Sequence, residues 1–297
     1  MSRDFTPLDR ENFREEDCSP SSQPLRVDIG PIRTRAASTD DFRETSRPAR
    51  PSSARTKDAV ARDRTYRLRA SERLTLTELG RFRLISTEDL ARHIYQGHRQ
   101  EMDQDVRHLL RQGLVRRETF ERPDGSPRQM LTLTKEGHKL IRADRLVGDG
   151  QSIYDGFRKP KEAVHDADMY RLYQKVAARI EAEGGRDLRV VLDWELRKKL
   201  NRDFAILGDG AREQIASRHS LQMVGEKIPV PDLRIEYQTP EGELAHVDLE
   251  LVTEHYRPGQ LAEKARAGFS LYAPRSEIGR LRGVLKRQGL TPGILSL

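Results

Sequence analysis

Apolar positions recur along this chain with two periods, and the change between them marks its organisation. From Ser71 onward Leu74, Leu76, Leu79 and Phe82 fall at helical spacing and predict a first helix, closed by Leu84-Ile85. Ser86 then opens a second helix, with acidic Asp89 three residues on as in a capping box. Leu90, Ala91 and Ile94 form its apolar face, and Gly97 ends the turn. A third helix over about 98–112 buries Met102, Val106, Leu109 and Leu110. It exposes Arg99, Gln100, Asp103, Gln104, Arg107 and Arg111, and Gly113 caps it. Residues 114–120 and 129–133 read as two strands around a Pro-Asp-Gly turn. Thr134-Lys-Glu-Gly opens a fourth helix through Ile141.

Residues 146–165 read as a connector with a basic Arg-Lys-Pro-Lys patch. A helix from Asp166 carries Met169, Leu172, Tyr173, Val176 and Ile180 on one face and ends at Gly184-Gly185. The run 188–192 predicts a buried strand, followed by helices over 194–207 and 211–224. Two alternating runs, 232–237 and 244–252, flank a Thr-Pro-Glu-Gly-Glu turn and predict a β-hairpin. A helix after Pro258-Gly259 carries Lys264 on a segment running to Tyr272, then a helix over 276–285 and a short final strand. The order implies α/β and α+β architecture, a helix-rich unit followed by a mixed sheet with helices on both faces.

The hairpin concentrates candidate chemistry. Val247, Leu249 and Leu251 face one side and His246, Asp248 and Glu250 the other; Leu233, Ile235 and Tyr237 likewise oppose Asp232, Arg234 and Glu236. Asp232, Asp248 and Glu250 can therefore gather on one face, with Lys264 on the following helix. Crowded carboxylates repel unless a cation or proton intervenes, and an oxygen-only ligand set suits Mg²⁺ or Mn²⁺. The bland alternative is that Asp248 and Glu250 form the solvated face of an amphipathic strand. Trp194 and Tyr272 read as core residues, and His165 as a helix-start histidine making a structural hydrogen bond or serving as a base.

Composition adjusts this outline. The 297 residues have room for two modest domains and a tail, and 34% charged residues against 35% hydrophobic ones imply that part of the chain lacks a core. Residues 1–68 mix Arg, Asp, Glu, Ser and Pro and are expected to form a disordered basic tail, since they cannot offset their ordering entropy. A net charge of +7 is compatible with nucleic acid. The lone Cys18 excludes an internal disulfide and a cysteine-based zinc site. No apolar leader or membrane span appears, so a cytoplasmic protein is expected. No P-loop, Gly-rich dinucleotide fingerprint, Gly-x-Ser-x-Gly elbow or His-hydrophobe-His relaxase strand is present.

The order helix, helix, helix, hairpin, helix, with Leu-Thr-x-x-Gly after the wing, resembles the winged helix-turn-helix of MarR-like and PadR-like regulators over about 69–145. That resemblance implies that the third helix enters the major groove of double-stranded DNA through Arg99, Gln100, Gln104, Arg107 and Arg111. Arg117, Arg122 and Arg128 would serve the wing as phosphate contacts. Glu101, Asp103 and Asp105 on the same helix leave a protein-binding role open. Pro231-Asp232 followed by Asp248-x-Glu250 resembles the PD-(D/E)xK nuclease pattern, with Glu250 where that pattern has lysine and Lys264 as the stand-in. The second domain, 166–297, would then have the restriction-endonuclease-like fold.

The combination, with His165-Asp166, Asp193-Trp194-Glu195 and Thr253-Glu254, resembles the replication-relaxation family. That resemblance implies a DNA-binding protein of plasmid or mobile-element replication or transfer, with replication or conjugation proteins or a second copy as partners. The displaced lysine favours a degenerate, non-catalytic nuclease-like domain. A Mg²⁺-dependent endonuclease or nickase using Asp232, Asp248, Glu250 and Lys264 is the alternative, and a plain transcriptional regulator a third.

Overall fold

In a computed structural model, the structure describes residues 25–26, 56–61, 64–121, 125–148, 150–157, 163–253, 256–291 and 293–297. Strands lie within the span expected to be a disordered tail. After β1 (Leu25–Arg26), strands β2 (Thr56–Ala61) and β3 (Arg64–Arg69) pair antiparallel. Ala59, Tyr66 and Leu68 are buried while Thr65 and Arg67 are exposed, so a period-2 run lies hidden among the arginines. Most of the expected tail, residues 1–24 and 27–55 with Cys18, lies outside the described residues, as does the basic patch at 158–161.

The winged helix-turn-helix order follows. It comprises α1 (Ala70–Phe82), β4 (Ile85–Ser86), α2 (Thr87–His93), α3 (Arg99–Arg111), β5 (Val115–Glu121), β6 (Pro127–Leu133) and α4 (Lys135–Ala143). Ser86 caps α2, its Oγ accepting from the Asp89 N–H at 3.0 Å. β5 and β6 form the wing hairpin, in register from Val115↔Leu133 to Glu121↔Pro127, and β4 adds to the outer edge of β6. Thr134 caps α4 through the Gly137 N–H at 3.1 Å. Gly137 itself is required by packing: a Cβ there would overlap the Leu114 carbonyl oxygen.

The expected connector is packed where it is described. Leu146, Val147 and Ile153 lie on the core, Tyr154 is buried, and the Gln151 amide bonds both the N–H and the carbonyl of Val190 at 2.9 Å. The second half then runs α5 (Ala163–Ala182), β7 (Arg186–Leu192), α6 (Asp193–Leu207), α7 (Arg212–Arg218), β8 (Leu233–Gln238) and β9 (Leu244–Leu251). It ends with α8 (Pro258–Arg266), β10 (Ser270–Ala273), α9 (Ile278–Arg287) and β11 (Ile294–Ser296). The sheet order is β11-β10-β9-β8-β7, with β7, β8 and β9 antiparallel and β10 and β11 parallel; β1 runs parallel beside β9.

Three boundaries differ from expectation. The α8 helix stops at Arg266, and Tyr272 lies in β10, whose Leu271, Tyr272 and Ala273 are buried as befits a parallel inner strand. The expected helix to 224 stops at Arg218, where Ser220 turns with φ 51°. The α5 helix starts at Ala163, placing His165 inside it.

One apolar cluster spans both halves. Leu76, Leu79 and Phe82 of α1 join Tyr170, Tyr173 and Val176 of α5, which join Leu233, Ile235, Val247 and Leu249 of the sheet. The opposite sheet face packs on α6, α8 and α9 through Val191, Leu196, Leu200, Leu261, Leu281 and Leu285. Both faces of β9 are therefore covered, and the polar side bearing His246, Asp248 and Glu250 is buried. The solvated-face alternative is excluded by that burial.

Candidate functional site: an acidic cluster and the face of the third helix

The antiparallel register sets the acidic residues. Leu233 pairs with Leu249 and Arg234 with Asp248, so Asp232 lies just ahead of β8 beside the end of β9. Asp232 Oδ2 accepts the Leu251 N–H at 3.0 Å, and Glu250 Oε2 accepts the Asp232 N–H at 3.1 Å. Lys264 reaches in from α8 and donates to Glu250 Oε1 at 2.7 Å and to the Val230 carbonyl at 2.7 Å. The Tyr256 hydroxyl donates to the same Oε1 at 2.5 Å, and His165 Nε2 of α5 lies 3.4 Å from Asp232 Oδ2. Asp232, Glu250 and Lys264 thus meet as the sequence implied.

Asp248 does not join them. Its carboxylate accepts two bonds from Arg234, at 2.6 and 2.9 Å, with both side chains buried. Arg234 spends its other donors on the carbonyls of His219 (2.7 Å) and Ser220 (3.2 Å), tying the hairpin to the end of α7. The expected trio fails because the residue opposite Asp248 on the same face is an arginine. Trp194 is corrected as well: 38% exposed at the start of α6, it is no core anchor. His165 and Tyr256 are members that sequence reasoning did not assign to the cluster. His165 lies in sequence far from the hairpin, and no periodicity marks Tyr256.

The electrostatics follow from burial and pairing. Burial pulls the His165 imidazole down, but the hydrogen bond and charge of Asp232 outweigh it and push it up to about 9. Burial raises Asp232, yet His165, Lys264 and the Leu251 N–H together hold it below the ordinary aspartate range. Burial and the neighbouring Asp232 charge push Glu250 up to about 7, against the pull of Lys264 and Tyr256. Burial, with the adjacent Asp232 and Glu250 charges, drives the Tyr256 phenol far upward, so it stays a donor.

A divalent cation fits this arrangement poorly. Both oxygens of Glu250 are engaged, one of them by an ammonium, and Asp232 is matched by an imidazole. Among the described residues no group of three or more His, Cys, Asp or Glu side chains is arranged to hold a metal ion. Lysine and histidine already supply the positive charge a metal would bring.

The second surface is α3. Arg99, Gln100, Gln104, Arg107 and Arg111 are exposed, with Met102, Val106 and Leu109 turned inward. Asp103 shares the outer face, but Asp105 is fully buried. Its carboxylate takes Arg69 (2.6 Å), Ser71 (2.5 Å) and Tyr95 (3.0 Å), so this acid pins the helix instead of repelling a ligand. Arg117 and its neighbour Arg116 are exposed on the wing. Arg128 is not: it is 3% exposed and pairs with Asp89 of α2 at 2.8 Å and Asp168 of α5 at 3.0 Å. Two acids on packed neighbours draw it inward. Arg122 lies outside the described residues.

No protein-family model and no curated protein matches the chain. Among solved structures, the chain is similar to the crystal structure of Bacillus subtilis PadR in complex with operator DNA. That match has 19% identity, covers 48% of this chain and 76% of that one, and has a TM-score of 0.21, too loose a superposition to support more than the elements themselves show. Among the described residues no helix is long and apolar enough to cross a membrane.

Proposed function

We propose that this chain binds double-stranded DNA through α3 and the wing, and that its second half is a nuclease-like scaffold without catalytic metal chemistry. The observation that carries the reading is the sorting of charge on α3. Three arginines and two glutamines point to solvent, while the acid at position 105 is buried and neutralised. Phosphate contacts by Arg107, Arg111 and Arg117 would position the helix, and Gln100 and Gln104 carry amides suited to base edges. From the sequence resemblance, we place that duplex in plasmid or mobile-element replication or transfer.

The test is binding of a labelled duplex across a salt series. Arg107→Ala with Arg111→Ala should weaken binding and flatten the salt slope by roughly one unit per lost phosphate contact. Absence of binding by the parent chain at low salt overturns the reading in favour of a protein partner. The second reading, a Mg²⁺- or Mn²⁺-dependent nuclease, has Lys264 within reach of the acids but requires its ion pair with Glu250 to open for the metal. Nicking of supercoiled plasmid that requires the metal and disappears in Lys264→Ala would establish it.

A further inference from the structure

The outer face of α6 borders the acidic cluster and has no role in the reading above. The helix starts at Asp193, whose N–H donates to the Asp232 carbonyl at 3.1 Å, so its first turn is anchored at the cluster's edge. Trp194, Lys198 and Arg202 recur every four residues and so share one face, and all three are exposed, with Asn201 beside them. The acids of α6 mostly turn elsewhere. Glu195 is buried against Arg189 (2.5 Å) and Lys199 (2.9 Å), and Asp203 is engaged by Arg218 (3.2 Å) and His219 (3.0 Å). Asp193, half-buried, lies 3.4 Å from Arg197.

The indole is held in place yet left open. Tyr154 meets it edge-on, with ring centroids 6.3 Å apart at 79°, and Lys198 Nζ lies 5.6 Å from its centroid. Aromatic surface and positive charge are therefore presented together. Its exposed neighbours along this face are Lys198, Asn201 and Arg202, and the one large apolar side chain exposed there, Ile206, lies a turn beyond Arg202 at the far end of the helix. That chemistry suits a polyanion bearing aromatic rings better than the apolar face of another protein.

We propose that this face binds single-stranded nucleic acid, an unpaired base stacking on Trp194 while Lys198 and Arg202 hold the flanking phosphates. The strand would run beside the His165, Asp232 and Glu250 cluster. The site is separate from α3 and does not depend on duplex binding there.

The protein has one tryptophan, so its emission reports on this position alone. The full chain at low salt is titrated with a 15-nucleotide oligothymidylate, a blunt duplex of equal length, and heparin. Saturable quenching by the oligothymidylate, with little from duplex or heparin, is expected. Lys198→Glu with Arg202→Glu, both at exposed positions that leave the reporter in place, should weaken that binding about tenfold or more. Trp194→Ala should weaken it about tenfold, read by anisotropy of labelled oligonucleotide. Arg107→Ala with Arg111→Ala should leave it unchanged. Unaltered emission, equal quenching by heparin, or full affinity in the charge-reversed variant would overturn the proposal.

Discussion

Replacing Asp248 by Asn separates two accounts of the hairpin by the sign of one measurement. If three carboxylates converged there, removing a charge would relieve repulsion and stabilise the fold. The structure predicts the reverse. Asp248 is 4% exposed and Arg234 2%, and the carboxylate accepts two guanidinium bonds. Asparagine keeps the volume and one acceptor, but turns an NH₂ toward a guanidinium and leaves Arg234 buried with no counter-charge. Breaking one side of a buried pair costs about 3–5 kcal/mol. Urea unfolding followed by circular dichroism should show the midpoint falling at an unchanged slope. Asp248→Leu together with Arg234→Met removes both charges and should restore at least half of the loss, because the pair couples. An Asp248→Asn chain as stable as the parent would refute the argument.

Two further outcomes follow from local geometry. His165 and Glu250 both have folded-state pKa values above their unfolded ones, so each contributes stability at low pH that is lost as pH rises, Glu250 between about 4.5 and 7 and His165 between about 6.5 and 9. The chain should lose roughly 5 kcal/mol from pH 5 to 9, shared about equally between the two groups; Glu250→Gln should flatten the lower part of that profile and His165→Asn the upper, and parallel profiles for all three chains would contradict the assignment. Gly137→Ala should destabilise by about 2 kcal/mol or more in thermal unfolding, since its Cβ meets a backbone carbonyl that cannot step aside.

The winged helix was legible because its signals are local. Ser86 and Thr134 cap helices within three residues, Gly113 takes φ 71° where the third helix ends, and the apolar spacing of α3 fixes which side faces out. The hairpin was legible through its period, which placed Asp232, Arg234, Asp248 and Glu250 on one face. Which acid meets which cation was not, because it depends on register: Arg234 was visible on that face, but only pairing opposite Asp248 removes the latter from the cluster. Lys264 was legible from the motif order, whereas His165 arrives from a distant helix that no spacing within the hairpin encodes. Arg128 shows the same gap, since an arginine beside a turn reads as exposed until α5 brings Asp168 against it. The β2–β3 hairpin was missed because Ala59, Tyr66 and Leu68, buried among its described side chains, sit in a segment dominated by charge.

The contact between the winged helix and the second half decides whether the faces of α3 and α6 move together or apart. Domains joined by an ordinary polar interface move independently. Here Phe82 meets Tyr170 and Tyr173 with ring centroids 5.0 and 4.8 Å apart, and Arg81 bonds the Tyr173 hydroxyl (2.7 Å) and the Leu188 carbonyl (3.3 Å). Asp89 of α2, 1% exposed, takes Arg128 from the wing and Arg171 from α5, and Arg128 also reaches Asp168. Each buried aromatic stabilises the contact by about 1.5–3 kcal/mol, and removing Asp89 would leave the buried Arg128 with Asp168 alone, at about 1–3 kcal/mol. That sum is comparable with the whole stability of a domain, so neither half should unfold while the other stands. Calorimetry should therefore show one transition, coincident with the loss of far-ultraviolet dichroism. Asp89→Ala should lower that single transition as a unit, because the core that spans α1, α5 and the sheet remains. Two resolved transitions in the parent chain would show that the winged helix is tethered and not fused.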